Sequence, residues 1–316
     1  MGRQPRIPTE LLGRPFSQAE ARGLGVTSDM LMGRSWKRLH PRVWVHRDHQ
    51  MTHLDSIAAA AMAMPDHAQL SHGSRIQLLG LDVGEHLPIR FTVAGDLHID
   101  TEDIFLHRTE VLPPLDAGGV TPASAFIQYC VSATVLEAIV AGDWLLRHRH
   151  MTIAEVAELA ARDDWRPGAR QARKVLVHLA AGSRSPKESE MRVVLSFSGL
   201  PTPDVNADVE YSGRRIAIVD FLYMWWRLVL EYEGRQHALN TTQFQTDITR
   251  YARLREAGFE YVQVTNQMLG QPRALVLLIH QILVRRGYSG PAPSFGHHWN
   301  SLFEPIRARP HFRAVS

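Results

Sequence analysis

The chain has 316 residues, of which 45% are hydrophobic and 21% are charged. This is an ordinary globular composition, and the length is sufficient for two or three domains. Its 35 Lys and Arg residues exceed its 32 Asp and Glu residues by only three, so only local basic patches can favour binding to polyanions. A single cysteine, Cys130, excludes an internal disulfide and a zinc site built from cysteines.

Two features of the sequence argue against a membrane or secreted location. The first residues, MGRQPRIPTELLGRPF, carry charge but lack the apolar core of a secretory signal. The longest apolar run, ALVLLIHQILV at 274–284, is too short to span a bilayer. We therefore expect a cytoplasmic protein with no membrane partner.

Residues 1–50 have the pattern of a small DNA-binding domain. Ser17 and Glu20 have capping-box spacing, which predicts a short helix, and a second short helix begins at Thr27 or Ser28. The segment SWKRLHPRVWVHR then alternates basic and apolar residues, as a β-hairpin does. Two short helices followed by a hairpin describe a winged helix-turn-helix, whose second helix enters the major groove of DNA.

Five residues are the predicted DNA contacts of this domain. Ser28 and Arg34 lie on or near the second helix, whereas Lys37, Arg38 and Arg42 lie on the hairpin, where they can reach phosphate. The alternative is that this basic ribbon is a structural lid or a protein-docking domain.

The same segment resembles the N-terminal domain of AbiEi-type antitoxins. The residues that carry the resemblance are Phe16, Glu20, Ala21, Gly25 to Thr27 and the strand HPRVWV, although Pro41 and Arg42 replace the usual turn glycine. The resemblance implies DNA as a partner and adds a cognate toxin as a second one.

Residues 51–182 predict a middle α/β domain that spaces or dimerises the protein. Helices are expected on both sides of Pro65, strands in PIRFTVAG and DIFLHR, and three further helices up to residue 162. The apolar pattern resembles the second domain of AbiEi-like proteins. Asp143, in GDWLLRHR, is interpreted as part of a helix core and not as a catalytic acid. At the other end of the chain, residues 289–316 predict a loosely ordered basic tail.

Three carboxylates are the strongest chemical signal of the chain. Asp220 closes the strand-like run RIAIVDF, and Glu231 and Glu233 flank Tyr232 at the end of RLVLEYE. Residues i and i+2 of a strand share one face, so Glu231 and Glu233 can point into one pocket. Two carboxylates about 4 Å apart repel by roughly 4 kcal/mol at an effective dielectric of about 20. Such a pair either raises a pKa or recruits a hard cation such as Mg²⁺.

The stretch from about residue 183 to 285 resembles the PD-(D/E)XK nuclease superfamily. The similarity is closest to domains related to very-short-patch-repair endonucleases, with a helix glutamate, a strand-end DF, E-x-D/E-G-x-x-H, D-x-x-R and L-x-x-x-G. This chain supplies Glu188, Asp220, Glu231, Glu233, Gly234, His237, Asp247, Arg250, Leu254 and Gly258 in that order. We therefore assign residues 183–288 to a predicted endonuclease-like domain.

The resemblance implies a role for each acid. Glu188, Asp220, Glu231 and the Tyr232 carbonyl would hold Mg²⁺ or Mn²⁺, which polarises the scissile phosphate and activates water. The catalytic residues would be Asp220, Glu231, Glu233 and His237. Glu233 replaces the usual lysine, so it acts as a ligand or a base, and His237 assists the leaving group or positions water.

Two other residues of the motif allow a simpler interpretation. Asp247 and Arg250 are three residues apart, so on a helix they are neighbours and are interpreted as an ion pair.

The sequence thus predicts a mixed α/β protein in three parts: a winged helix, a middle α/β domain and a C-terminal PD-(D/E)XK-like domain. The leading functional prediction is a metal-dependent DNA endonuclease targeted by its own DNA-binding domain. The alternative is a non-enzymatic DNA-binding regulator or AbiEi-like antitoxin that keeps an inactive nuclease fold. Neutralisation of a toxin through the middle domain is a third hypothesis.

Overall fold

The computed structural model describes residues 7–99, 101–233 and 241–307, with the backbone alone for 241–248. The chain divides into two compact units, residues 1–129 and 130–316, and both mix helices with strands. The predicted α/β class is confirmed. The division falls inside the predicted middle domain, so that its strands belong to the first unit and its last helices to the second. The physical reason is packing, because the first helix of the second unit packs on the helix that carries Glu188.

The first unit contains eight short strands and five helices within its described residues. They are β1 (Phe16–Ser17), α1 (Gln18–Gly23), α2 (Ser28–Leu31), β2 (Trp36–His40), β3 (Val43–His46), α3 (His53–Ala63), β4 (Ala68–Leu70), α4 (His72–Leu78), β5 (Ile89–Ala94), β6 (Ile104–Thr109), β7 (Leu115–Asp116), β8 (Gly119–Val120) and α5 (Pro122–Tyr129).

The predicted helices and hairpin of residues 1–50 are present in the structure. The Ser17 hydroxyl caps α1 by accepting from the Glu20 backbone N–H, but the Glu20 carboxylate pairs with Arg14 instead of closing the capping box. Strands β2 and β3 form the hairpin, and β1 extends it to a sheet of order β1-β3-β2. Helix α2 is only one turn long. The two short helices and the hairpin of the prediction are therefore present, and the second helix spans only four residues.

Around Pro65 the prediction of two helices needs a correction. Helix α3 begins with a capping box formed by Thr52 and Asp55, as its sequence suggests. The segment after Pro65 first forms β4, which pairs with β5, and only then α4. Ala68 and Leu70 alternate into the core on this strand, and a helix would not bury both on one face of the sheet.

The second unit contains eight helices and four strands within its described residues. They are α6 (Val135–Arg147), α7 (Ile153–Arg162), α8 (Ala169–Val175), α9 (Pro186–Phe197), β9 (Asp204–Tyr211), β10 (Arg214–Tyr223), β11 (Leu228–Tyr232), α10 (Thr241–Glu256), β12 (Glu260–Val264), α11 (Asn266–Leu269), α12 (Pro272–Arg285) and α13 (His297–Asn300).

One mixed sheet organises this unit, with the order β12-β11-β10-β9. Strands β9, β10 and β11 are antiparallel neighbours, and β12 returns parallel to β11 after α10. Helix α10 covers one face, where Leu254 packs with Leu222 and Val229 in a fully buried cluster. This contact also brings the polar residues of α10 close to the same face of the sheet.

The predicted loosely ordered tail over 289–316 needs a correction for residues 289–307. Trp299, Leu302 and Ile306 are buried, and α13 is followed by a 3-10 turn at Ser301–Phe303. Backbone hydrogen bonds then join Val135 to Glu304 and Ile306 to Ala133. Three apolar side chains spaced through a polar segment anchor it to the core.

Among the described helices, none combines the length and the apolar character needed to cross a lipid bilayer.

Candidate functional site

Asp220 and Glu231 face each other across two neighbouring strands. Strands β10 and β11 pair Leu222 with Val229 and Phe221 with Leu230, so the next position sets Asp220 opposite Glu231. Opposed residues of an antiparallel pair share one face of the sheet. Asp220 lies inside β10, three residues before its end, and not at a strand end as predicted. Its Oδ2 accepts a 2.9 Å hydrogen bond from the backbone N–H of Tyr232.

Glu188 approaches this pair from helix α9. Ser185 caps the helix by accepting from the Glu188 N–H, and Pro186 and Glu188 both lie in its first turn. The residue is 6% exposed, and its Oε2 accepts from the Arg184 backbone N–H at 2.8 Å and from Asn206 Nδ2 at 3.2 Å. The carboxylate therefore ties the start of α9 to strand β9.

The three acids are electrostatically coupled. Burial raises the pKa of the Asp220 carboxyl, and the negative charge of Glu188 raises it further, against the Tyr232 hydrogen bond and the charges of Arg250 and Arg184. Burial likewise raises the pKa of Glu231, and the charge of Asp220 adds to this rise. Negative charge is thus concentrated in a site that is poorly hydrated.

A guanidinium partly compensates that charge. Arg250, on α10, donates to both oxygens of Glu231, from Nη1 to Oε1 at 2.6 Å and from Nη2 to Oε2 at 2.5 Å. The Tyr261 hydroxyl donates to Oε2 at 3.1 Å and also lies 2.9 Å from the Tyr251 hydroxyl. Glu231 is therefore fixed by the guanidinium of Arg250 and the hydroxyl of Tyr261. The predicted ion pair of Arg250 with Asp247 lies outside the described residues, because the side chain of Asp247 is not described.

The other predicted site residues make different contacts. Glu233 directly follows β11, is exposed, and is fixed through its backbone N–H, which donates to the Val264 carbonyl. The Tyr232 hydroxyl donates to Asn266 at 2.7 Å, so its ring points towards α11. His237 lies outside the described residues, as does the side chain of Asp247.

In the first unit, the predicted DNA-contacting residues are all exposed. Ser28 accepts from Gln18 Nε2 at 3.0 Å, and Arg38 bonds the His40 carbonyl. Arg42 occupies the hairpin turn with a φ of 64°, a left-handed conformation that favours glycine. Arg34, Lys37, Arg38 and Arg42 together give this segment a basic surface.

A hard divalent cation needs several oxygen ligands. Within the residues described, no group of three or more His, Cys, Asp or Glu side chains has the arrangement of a metal site. Glu188 nevertheless supplies a buried carboxylate and Asp220 a half-buried one, and the buried Oδ1 of Asn206 has no hydrogen-bond partner among the described atoms. These three residues fit Mg²⁺ or Mn²⁺. Glu231 does not fit as a ligand while Arg250 holds both of its oxygens.

Asn206 and Tyr261 were not identified from the sequence. Asn206 lies opposite Asp220, between the pairs Val219–Ala207 and Phe221–Val205, and its φ of 52° is unusual for a strand. Asparagine tolerates this conformation better than most residues, but nothing in the run DVNADVE predicts it. Tyr261 reaches Glu231 because β12 lies parallel to β11, a pairing that local sequence does not specify.

Comparison with known proteins gives a distant similarity and no activity. No family model matches the chain. Uncharacterized proteins of Mycobacterium tuberculosis strains CDC 1551 / Oshkosh and H37Rv are each 26% identical to it over 255 residues. The alignment covers 79% of this chain and 94% of each relative, so the similarity extends over most of both proteins.

Proposed function

We propose that this protein is a metal-dependent endonuclease that cleaves phosphodiester bonds in DNA. The observation that carries the proposal is the arrangement of Glu188, Asp220 and Glu231. One acid comes from a helix and two from facing positions of adjacent strands, and the charge of one raises the pKa of the next. Carboxylates in water-poor surroundings take up a proton or recruit a compensating cation, and a divalent ion is one such cation.

The order of elements supports the same proposal. Helix α9 carries Glu188, β10 carries Asp220, β11 ends at Glu231 and Tyr232, and α10 carries Arg250 before β12 closes the sheet. This is the order of the motif in the PD-(D/E)XK-like domains that the sequence resembles. The exposed basic residues of the hairpin in the first unit fit the delivery of DNA through phosphate contacts.

Each residue has a definable part in such a reaction. A divalent cation held by Glu188, Asp220 and Asn206 would polarise the scissile phosphate and lower the pKa of a bound water. Arg250 favours the ionised form of Glu231 against the effect of burial and holds both of its oxygens, while Tyr261 restricts the rotation of the same carboxylate. Glu233 is exposed just beyond the strand, where its carboxylate is the candidate to take the proton of the attacking water.

A second candidate function is non-enzymatic DNA binding, as in a transcriptional regulator or an AbiEi-like antitoxin. The specific observation that favours it is the two-point ion pair of Arg250 with Glu231. A guanidinium that permanently occupies this carboxylate gives a stable, metal-independent scaffold. In that case the acids hold the fold together, and the basic surface of the first unit performs the function.

Plasmid nicking separates the two candidates. Purified wild type, Glu188→Gln, Asp220→Asn and a matched control, Glu190→Gln, are incubated with supercoiled DNA in Mg²⁺ or Mn²⁺. Glu190 lies on the same helix but pairs with Lys187 at 2.7 Å, so its loss leaves the acid cluster intact. We expect cleavage by wild type and control only, with DNA binding retained by all four. Wild type that binds a defined operator but leaves DNA uncut in both metals supports the regulator instead.

A further inference from the structure

A pocket of about 330 Å³ lies in the second unit, and its lining is rich in cationic and titratable groups. The lining includes Lys174 from α8, His178 just after that helix and His297 and His298 from α13. It also includes Glu304 and Arg307, which follow the 3-10 turn at Ser301–Phe303. None of these residues belongs to the acid cluster. A volume of this size holds a small ligand or one group of a larger one.

The charge of the lining is positive. Glu304 is its one carboxylate among the described residues, and it pairs with Arg307 across 3.1 Å. The Lys174 ammonium donates to the Arg307 backbone carbonyl, which fixes the end of this exposed side chain beside the pocket. An ammonium has three donors, so the group can serve a ligand as well. Because Glu304 and Arg307 neutralise each other, Lys174 carries the remaining positive charge of the lining.

The environment of His178 indicates the same sign of charge. Burial lowers the pKa of its imidazole, and the positive influences of His298 and Arg192 lower it further. Arg192 is itself neutralised by Asp143, to which it donates at 2.8 Å. Positive neighbours and burial thus favour the neutral imidazole of His178, which still offers an N–H donor to a bound anion.

The aromatic side chains give the pocket a fixed wall. The rings of Phe197 and His298 stack with centroids 4.3 Å apart and planes 7° from parallel, and the His178 ring is tilted against Phe197 with centroids 4.9 Å apart. Two imidazoles are held in place by one buried ring, so their N–H groups need little reorganisation to meet a ligand. Pre-positioned donors bind at a lower entropic cost than mobile ones.

We propose that this pocket binds a phosphate group. Phosphate carries several acceptor oxygens and negative charge, which match the ammonium of Lys174, the guanidinium of Arg307 and the imidazoles of His178 and His298. The proposal is independent of the nuclease proposal, since the two sites share no residue. The phosphate comes either from the end of a nucleic acid strand or from a free small phosphorylated compound.

Calorimetric titration of the full chain with inorganic phosphate tests the proposal. We expect saturable binding by wild type and a loss of about tenfold in affinity for Lys174→Gln, which removes one charge-assisted hydrogen bond. Lys187→Gln is the matched control, because Lys187 is paired with Glu190 and does not line the pocket. His298→Gln is a second test variant, and thermal melting verifies that each variant is folded.

Competition then identifies the source of the phosphate. Displacement of phosphate by a 5′-phosphorylated oligonucleotide, but not by its unphosphorylated form, indicates a strand end. Displacement by nucleoside monophosphates alone indicates a small phosphorylated compound, and either result keeps the proposal. Absence of saturable phosphate binding by wild type overturns it, and so does an equal loss of affinity in Lys174→Gln and Lys187→Gln.

Discussion

Arg250 and Glu231 form a two-point ion pair between a helix and a strand, with both N–O distances at 2.5–2.6 Å. Burial raises the pKa of Glu231, and the charge of the neighbouring Asp220 raises it further. The guanidinium is therefore a cation that offsets the charge of the buried Glu231 and of the half-buried Asp220 beside it. It also competes with any metal ion for the oxygens of Glu231, and this competition is measurable.

Arg250→Gln should separate the structural and the metal-related roles of Glu231. Removal of one partner from a largely buried pair leaves an uncompensated carboxylate, so we expect a loss of about 2–4 kcal/mol in unfolding free energy. Because the oxygens of Glu231 are then accessible, Mg²⁺ should raise the melting temperature of the variant more than that of wild type. Arg253→Gln, an exposed change on the same helix, is the control. An identical Mg²⁺ shift in all three proteins would falsify competition for Glu231.

Asp220→Asn should stabilise the protein at neutral pH while it abolishes nicking. The folded state raises the pKa of Asp220, so it binds the proton more tightly than the unfolded chain does. The unfolding free energy of wild type therefore falls as the pH rises from the ordinary pKa of aspartate through the folded pKa, and stays lower at neutral pH. Asparagine removes the charge and keeps an oxygen to accept the Tyr232 N–H.

Thermal melts across pH provide the measurement. The advantage of Asp220→Asn should amount to a few degrees at pH 7 and shrink as the pH approaches about 4. Asp208→Asn is the control, because Asp208 is exposed and pairs with Arg215 at 3.3 Å. If the advantage of Asp220→Asn persisted unchanged in acid, the carboxylate charge would not be its cause.

Tyr261→Phe should weaken the positioning of Glu231 with little damage to the fold. The hydroxyl donates to Glu231 and contacts Tyr251, and its loss should cost about 1 kcal/mol. We expect slower nicking at unchanged DNA affinity. Tyr288→Phe removes a comparable hydroxyl, which donates to the Pro291 carbonyl, and serves as the control. Equal nicking rates in the two variants would show that the phenol at Glu231 plays no part in cleavage.

Arg42→Gly should stabilise the hairpin and weaken DNA binding at the same time. Arg42 has a φ of 64°, which is strained for arginine and unstrained for glycine, so stability should rise by about 0.5–1 kcal/mol. Loss of a phosphate contact should reduce the salt dependence of duplex binding by about one unit.

A salt-titrated mobility-shift assay is the measurement for Arg42. Arg108→Ala, an exposed arginine of the same unit that pairs with Asp96 at 2.5 Å, should leave the salt slope unchanged. Unchanged binding by Arg42→Gly, together with the expected gain in stability, would remove this turn from the DNA-binding surface.

Local patterns predicted most of the helices and the hairpin. Helices α6 and α7 were both expected; in the structure Thr134 and Glu137 form the capping box of α6, and Thr152 caps α7 through the Glu155 N–H. These signals are local, because a cap involves residues only three apart. The β4 strand was missed because Ala68 to Leu70 is too short to display an alternation against its helical surroundings.

Of the candidate site, only the acidic residues could be predicted from the sequence. Their residue types and order indicated Glu188, Asp220 and Glu231, but their contacts depend on the register of β10 with β11 and on the helix that crosses them. Arg250 lies 19 residues from Glu231 in the chain, so its fork could not be inferred from helical spacing alone. The division at residue 130 also depends on the packing of α6 against α9. No linker-like composition marks this division in the sequence.

The hydrogen bonds between residues 133–135 and 304–306 bring the first and last described segments of the second unit side by side. A substitution that loosens either segment should therefore loosen the other, since each supplies one side of the same short bridge.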